Sequence, residues 1–337
     1  MQDDRALAGV LVVDLTTDFG YASKLYADLG ATVILVEAPG GSVARQCPPL
    51  ADGQSLWFAY RNSGKRSIVL DPDAAADRQL LQRLFTSADI VFDDQPQAYW
   101  RERGLDWTSV HAAAPDLVWC SITPFGQTGP AADAEGCDLI AMASGGMAWL
   151  TGYEDSGPLV GDCGLATTSA AQYAAVTALI AWIGRNNTGG QWVDVSMQEV
   201  MALGTETAPQ FLAMKGVTRR RRGEQVRQAG IGVYPCADGH VFLYAADSGV
   251  GRGWKLLAQW IAEAGVAGAE ELLDPRWQDS GYNTQAGPCA RFAALWAEFA
   301  RQRTKQALFE QGQARRIAIS PLNSAADTVA DPHLRAR

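Results

Sequence analysis

Short runs of consecutive apolar residues alternate with stretches of helical periodicity along the first two thirds of the chain. Continuous apolar runs of this length are typical of strands that are buried on both faces of a parallel sheet. They predict strands at residues 9–15, 32–37, 67–70, 89–92, 117–122 and 192–196. Helices are predicted at residues 21–29, 74–85, 138–150, 165–183 and 197–214. This alternation predicts a doubly wound, Rossmann-like α/β domain with a mostly parallel sheet.

The pattern changes after this first domain, which is expected to span residues 1–214. A charged, glycine-rich stretch at residues 215–230 predicts a linker, and residues 231–316 predict a second, smaller α/β domain. The elements of the second domain are predicted to be a hairpin followed by three helices, at residues 233–243, 254–264, 290–301 and 304–311. Residues 317–337 are expected to form a segment that returns towards the large domain.

Composition and charge limit the class of protein. The 337 residues are 47% hydrophobic, which is enough for a large and a small core, and the formal net charge is −9. An acidic protein lacks the basic surface that binds phosphates, so nucleic acid is not expected as a partner, and the arginine run at residues 219–222 is interpreted as a solvated loop. Because no leader and no bilayer-length apolar run is found, a cytoplasmic protein without membrane association is predicted.

Six cysteines and three histidines are scattered through the sequence. No two cysteines have CxxC spacing and no histidine lies at metal-ligand spacing, so we predict reduced thiols, no metal and no tightly bound cofactor. The histidines are also remote from one another and from candidate nucleophiles. A catalytic triad or dyad based on histidine is therefore not expected.

Several short strings occur in a fixed order along the chain. They are Val13-Asp14-Leu15-Thr16, Ala27-Asp28-Leu29-Gly30-Ala31, Asn62-Ser63-Gly64-Lys65-Arg66-Ser67, Ser121-Ile122-Thr123-Pro124-Phe125-Gly126-Gln127, Gly136-Cys137-Asp138, Thr188-Gly189-Gly190-Gln191 and Asp331-Pro332-His333-Leu334. In sequence and order this set resembles the class III CoA-transferase family, which also contains the α-methylacyl-CoA racemases. The resemblance implies a doubly wound large domain, a small α/β domain, two interlocked chains, and transfer of CoA from an acyl-CoA to a carboxylic acid.

The resemblance implies a catalytic aspartate at the start of a long helix, where it would attack the thioester and form a mixed anhydride. Here that position is taken by Thr167, which cannot form the anhydride and which we interpret as the helix N-cap. Asp162 lies five residues earlier between glycines and is a candidate substitute, with a turn residue as the alternative interpretation. Because Cys137 stands where the racemases have a histidine, racemisation by the usual pair is not expected.

The resemblance also implies which residues contact a CoA thioester. The matching positions are Asn62, Ser63, Gly64, Lys65, Arg66, Arg101, Gln127, Asp138, Gly145 and Gly146. The amides of Gly145 and Gly146 are candidate oxyanion donors, or these glycines serve only tight turns.

Other residues depart from the family pattern at the positions that would face CoA. Asp93, Asp94 and Glu135 stand where the family has hydrogen-bond donors or cations, and Ala38 stands where it often has an arginine. Since the phosphates of CoA are anions, these carboxylates are expected to disfavour its binding.

Three functions stay open at this level. The chain is expected to be a CoA-transferase acting on CoA or acyl-CoA, using Asp162 or another arrangement. Alternatively it is a catalytically degenerate subunit or scaffold that partners an active paralogue, or it handles another acyl thioester in a biosynthetic pathway. A homodimer or a hetero-oligomer with a family paralogue is expected accordingly.

Overall fold

The computed structural model of the chain describes residues 4–161, 164–205, 207–221, 228–245 and 253–337. The chain divides into two compact units, residues 1–223 and residues 224–337.

A parallel sheet of six strands forms the centre of the first unit. The strands are β1 (Leu11–Asp14), β2 (Thr32–Glu37), β3 (Arg66–Val69), β4 (Ile90–Asp93), β5 (Val118–Thr123) and β6 (Trp192–Ser196). Their order in the sheet is β3-β2-β1-β4-β5-β6, in which the direction of winding reverses between β1 and β4. The doubly wound fold predicted from the sequence is confirmed.

Helices cover both faces of this sheet. They are α1 (Tyr21–Asp28), α2 (Leu56–Asn62), α3 (Ala75–Ser87), α4 (Gln97–Glu102), α5 (Trp107–His111), α6 (Asp138–Ser144), α7 (Met147–Leu150), α8 (Leu165–Thr188), α9 (Met197–Gly204) and α10 (Thr207–Lys215). A 3₁₀ helix, Val43–Gln46, and a hairpin of two-residue strands, Leu50–Ala51 and Gln54–Ser55, precede α2.

Side chains that alternate along the strands divide between two cores, one on each face of the sheet. Val12 of β1 packs in the core that contains α1 and α8, and Val13 packs in the core that contains α3. The buried face of α8 is almost entirely alanine, and such small side chains allow a helix to approach its neighbours closely. The hydroxyl of Tyr26 on α1 donates a hydrogen bond to the carbonyl of Ala175 on α8 at 2.8 Å. These contacts fix the position of α8 relative to α1.

Two helices predicted from periodicity are each divided in the structure. The predicted helix at residues 138–150 is interrupted at Gly146, whose φ of 83° lies in the left-handed region and ends α6 before α7 begins. The predicted helix at residues 197–214 is two helices, α9 and α10. Periodicity did not predict either interruption because apolar residues continue on both sides of each break.

The second unit contains an antiparallel sheet of three strands in the order β9-β8-β7, where β7 is Ile231–Cys236, β8 is Gly239–Tyr244 and β9 is Ala318–Pro321. Its helices are α11 (Gly253–Glu263), α12 (Ser280–Asn283), α13 (Ala286–Ala300), α14 (Lys305–Ala314), α15 (Ala325–Ala330) and α16 (Pro332–Ala336), with 3₁₀ helices at Ala269–Leu273 and Pro275–Gln278. The core is rich in aromatic side chains, among them Trp254, Trp277 and Trp296. Because β9 pairs with β8, the start of the segment at residues 317–337 belongs to this sheet.

Within the described ranges, no helix has both the length and the apolar character needed to cross a membrane.

Candidate functional site

Two cavities of the first unit lie where the winding of the sheet reverses, between β1 and β4. In a doubly wound sheet the loops that leave adjacent strands separate at this point, and ligands usually bind there. Thr17, after β1, and Gln95, after β4, line both cavities. The first cavity has a volume of about 250 Å³ and the second about 500 Å³. The fold therefore provides two adjoining cavities at the point where ligands usually bind.

The first cavity lies at the ends of β1, β2 and β3. Glu37 on its wall accepts hydrogen bonds from Nε and Nη2 of Arg45 at 2.7 and 2.6 Å, from the amide of Ser42 at 2.8 Å and from the hydroxyl of Ser67. The bonds from Arg45, with those from Ser67 and Ser42, hold the pKa of Glu37 at about 2. This carboxylate is therefore ionised, neutralised by Arg45 and already occupied by protein donors.

The second cavity surrounds the start of α8. Gly164 precedes this helix in the left-handed conformation and has no side chain to cap it. Asp138, the first residue of α6, supplies the missing acceptor, because the amide and hydroxyl of Thr167 donate to its Oδ1 at 2.8 and 2.9 Å. Thr167 is thus the third residue of α8 and not its N-cap, so that part of the sequence interpretation is wrong.

Thr167 reaches the cavity as a hydrogen-bond donor. Its hydroxyl needs a base to act as a nucleophile, yet its partner is a carboxylate, which is a weak base towards an alcohol. No histidine is among the described residues that line this cavity. The start of α8 therefore holds a group that cannot form a mixed anhydride.

Arg61 contributes a cation to the same cavity. Its guanidinium lies 3.6 Å from the ring centroid of Trp57, and it donates to the carbonyl of Asp18 at 2.5 Å and to the hydroxyl of Thr168 at 2.8 Å. The side chain is only 4% exposed. Arg61 therefore presents a buried, oriented cation beside the start of α8.

Two adjacent aspartates at the end of β4 have different surroundings. Asp93 is fully buried and accepts hydrogen bonds from the indoles of Trp100 and Trp119 at 2.6 and 2.9 Å, and its burial raises its pKa to about 7. Asp94 lines the second cavity and accepts from the amide of Thr17 at 2.5 Å, and burial raises its pKa to about 6. Asp93 holds the core together and, contrary to the sequence expectation, does not face a ligand.

The predicted binding residues Asn62 and Lys65 are engaged within the protein. The ammonium of Lys65 donates to Asp14 Oδ2, to the carbonyl of Gly20 and to Asn62 Oδ1, at 2.7, 2.7 and 2.6 Å. Since an ammonium has three donors, none is left for a ligand. This part of the matching string stabilises the loop after β1.

Other predicted residues also have structural partners. The amides of Gly145 and Gly146 donate to the carbonyls of Ala141 and Ala143 at 2.8 and 3.1 Å, so both oxyanion candidates are occupied by the end of α6. Gln127 joins the loops after β4 and β5, because its side chain donates to the carbonyl of Gln95 at 2.9 Å and accepts from the amide of Gln97 at 3.0 Å.

Of the remaining candidates, Asp138 and Thr167 line the second cavity together. The others lie apart from them, at the turn after α2, at the start of β3 and on the surface of α4: Ser63, Gly64, Arg66 and Arg101. Asp162 lies outside the described residues.

Several lining residues of the second cavity were not predicted as ligand contacts, among them Trp57, Arg61 and Asp94. Asp94 was noted only as an unfavourable substitution. Trp57 and Arg61 lie on α2, a helix rich in aromatic residues. The sequence around Arg61 does not distinguish it from an arginine on the protein surface. The cue that the sequence did offer is their position directly before the matching string at Asn62.

The fold and the two cavities define the class of this chain. It is a doubly wound α/β protein with a crevice at the point where its sheet reverses direction.

Similarity to known proteins identifies the family. The chain matches CoA-transferase family III over residues 7–337. It is 34% identical over 333 residues to the succinyl-CoA:(R)-benzylsuccinate CoA-transferase subunit BbsE of Thauera aromatica, covering 97% of this chain and 81% of that one. It is 31% identical over 343 residues to the succinyl-CoA–D-citramalate CoA-transferase of Chloroflexus aurantiacus, covering 99% and 82%. The chain therefore belongs to CoA-transferase family III.

A solved structure agrees with this assignment. A CAIB/BAIF family protein from Brucella suis superposes with a TM-score of 0.82 at 27% identity, covering 99% of this chain and 88% of that one. The family resemblance inferred from ordered sequence strings is confirmed.

Proposed function

We propose that this chain is a subunit of a CoA-transferase that binds a CoA thioester but does not form the acyl-enzyme anhydride, and that a family paralogue supplies the nucleophile. The observation that carries the proposal is the side chain at the start of α8. There the hydroxyl of Thr167 donates to Asp138 Oδ1 at 2.9 Å, beside a cavity large enough for an acyl group. A mixed anhydride requires a carboxylate as nucleophile, and a threonine hydroxyl without a base is a poor substitute.

The architecture around this position is consistent with binding. The two cavities adjoin through Thr17 and Gln95, so a nucleotide portion and an acyl portion of one thioester have neighbouring spaces. The Arg45–Glu37 pair removes the charge penalty of the acidic residue at the first cavity. The two cavities therefore support the proposal that the chain binds a thioester without supplying the nucleophile.

A partner chain is supported by two further observations. The relative from Thauera aromatica is described as a subunit. On α8, Val176, Ile180 and Ile183 are each more than half exposed and follow one another at helical spacing. An apolar stripe of this kind is typical of a surface that another chain covers.

A second candidate is that the chain is active by itself through a different carboxylate. The observation in its favour is that Asp94 and Asp138 both line the second cavity, and the pKa of Asp94 is raised to about 6. Asp162 is the third residue to test, on the sequence argument alone. Each of these would have to form the anhydride that Thr167 cannot form.

The proposal is tested by exchange of CoA between succinyl-CoA and a carboxylic acid acceptor. The chain is purified alone and together with a co-expressed paralogue that carries an aspartate at the position of Thr167. We expect no exchange above background for the chain alone, exchange for the mixture, and an acyl adduct sensitive to hydroxylamine on the paralogue only.

Variants of this chain separate the two candidates. Thr167→Val removes the hydroxyl at similar volume and should leave the activity of the mixture within about twofold, since no step of the chemistry uses it. Exchange by the chain alone, lost in Asp94→Asn, Asp138→Asn or Asp162→Asn, would instead establish the second candidate.

A further inference from the structure

We propose that Arg61 is the residue of the second cavity that recognises an acyl group ending in a carboxylate and selects it over an uncharged acyl group. This rests on the proposed function, because it assumes that a CoA thioester enters the cavity.

Arg61 carries a buried charge without a direct ion-pair partner in the described part of the chain. The side chain is 4% exposed, and no carboxylate lies within 4.0 Å of its guanidinium among the described residues. Burial lowers the pKa of Arg61, an effect that the more distant charges of Asp18 and Asp138 oppose. An arginine stays protonated even so, and a buried charge without a partner costs several kcal/mol in general. An anionic ligand would supply the missing charge.

The guanidinium of Arg61 is oriented before any ligand arrives. It lies against the indole of Trp57, and the backbone of Gly164 approaches both groups closely. A Cβ at Gly164 would lie 2.6 Å from the ring of Trp57 and 3.0 Å from Nη2 of Arg61, so a larger residue there would displace them. The guanidinium is therefore held in the fixed orientation that bidentate binding of a carboxylate requires. Little conformational entropy would be lost when a ligand binds to it.

The guanidinium of Arg61 also keeps hydrogen-bond donors that the described residues do not use. Arginine has five N–H donors, and the described residues accept two hydrogen bonds from this side chain, at the carbonyl of Asp18 and the hydroxyl of Thr168. Thr168 also places the guanidinium at the N-terminal end of the 24-residue helix α8, where the helix dipole favours negative charge. The unused donors suit a carboxylate oxygen.

Three carboxylates in the same cavity limit where an anion can bind. Asp18 is exposed and screened by water, and Oδ1 of Asp138 accepts both donors of Thr167. Burial raises the pKa of Asp94 to about 6, so this carboxyl can take up a proton as an anion approaches. At positions away from Arg61 these carboxylates repel an anionic ligand. Selection therefore depends on the direct contact with the guanidinium.

Binding of two matched thioesters tests this. Succinyl-CoA and butyryl-CoA have the same acyl length and differ in a terminal carboxylate against a methyl group. By isothermal titration calorimetry, we expect the wild-type chain to bind succinyl-CoA about 30-fold more tightly than butyryl-CoA, the size of effect typical of a buried, paired charge. Arg61→Gln should bind both equally, and CoA itself should bind the two proteins alike.

Two further variants control the result. Arg83→Gln removes an exposed arginine of α3 and should keep the preference for succinyl-CoA. Arg61→Lys keeps the positive charge but not the planar guanidinium, and it should keep only part of the preference for succinyl-CoA. This variant provides the test if Arg61→Gln does not fold.

Three outcomes would overturn the proposal. One is a wild-type protein without preference between the two thioesters, and another is a folded Arg61→Gln that keeps the preference. The last is an equal loss of affinity for CoA, butyryl-CoA and succinyl-CoA in Arg61→Gln, because Arg61 would then contact a phosphate. These binding measurements do not involve turnover. The proposed function is tested separately, and CoA exchange by this chain alone would contradict it.

Discussion

Arg61 and Lys65 are two buried cations that lie four residues apart, and their surroundings are opposite. Lys65 is 1% exposed at its side chain and pairs with Asp14, which is fully buried, at 2.7 Å. Arg61 is stacked on Trp57, and in the described part of the chain no carboxylate comes within ion-pair distance of it. Lys65 is therefore neutralised by a carboxylate of the protein, whereas we propose that Arg61 is neutralised by a ligand.

The buried carboxylates at the ends of neighbouring strands show the same contrast. Burial alone would raise the pKa of Asp14 at the end of β1, but Lys65, Ser23 and Thr16 outweigh it and lower that pKa. Asp93 at the end of β4 has indole donors and a hydroxyl instead of a cation, and burial raises its pKa to about 7. A charged partner, and not depth of burial, therefore decides which of the two stays ionised.

The largest effect on stability is expected when the Asp14–Lys65 pair is broken. Lys65→Met leaves Asp14 buried without its cation, and we expect the free energy of unfolding to fall by about 3–5 kcal/mol. Urea denaturation monitored by circular dichroism measures this. Lys24→Met is the control, since the Lys24–Asp28 pair is exposed at its carboxylate and should contribute less than about 1 kcal/mol. Equal losses in the two variants would contradict the assignment of Lys65 as structural.

The next effect is a pH dependence that comes from Asp93. Its pKa is raised from 3.8 to about 7 on folding, so the folded state binds more protons than the unfolded state between these values. The free energy of unfolding should then decline as pH rises from about 4 to about 7, by up to a few kcal/mol.

Asp93→Asn tests this origin. The variant should lose most of the decline between pH 5 and pH 7.5 in urea denaturation, whatever its stability at pH 5. Asp94→Asn should remove only the part below about pH 6, because burial raises the pKa of Asp94 to that value. An unchanged decline in Asp93→Asn would show that Asp93 stays ionised throughout.

The smallest effect on stability is expected when Arg61 is replaced by an apolar residue. Arg61→Met loses two hydrogen bonds and a contact with Trp57, but it also removes a buried charge without an ion-pair partner. We expect the stability to change by less than about 1 kcal/mol, in contrast to Lys65→Met. The same urea titration decides this, and a loss as large as that of Lys65→Met would assign Arg61 a structural role.

Much of the first unit could be predicted because its central strands β1, β4 and β5 are buried on both faces, although the edge strand β3 is exposed along its length. Strands buried on both faces are continuous apolar runs, and all six predicted runs are strands of the sheet. Helix interruptions were harder to predict, since the break at Gly146 depends on a left-handed backbone conformation between two apolar segments.

The candidate site was predicted less well than the fold. Motif matching placed Thr167 and Asp138, which indeed meet. It also selected Lys65, Gly145 and Gly146, whose donors are occupied by the protein itself. Arg61 was missed because a single arginine on an aromatic helix has the same local pattern whether it is exposed or buried.

The sequence by itself determined the family and the positions of the strands along the chain, because both depend on residue identity and spacing. Only the tertiary structure decided which charged groups are paired and which are free. Whether Lys65 finds Asp14, or Arg61 finds no carboxylate, depends on distances across different elements of the fold. In a medium of low dielectric constant those distances set both the stability and the ligand that the site can accept.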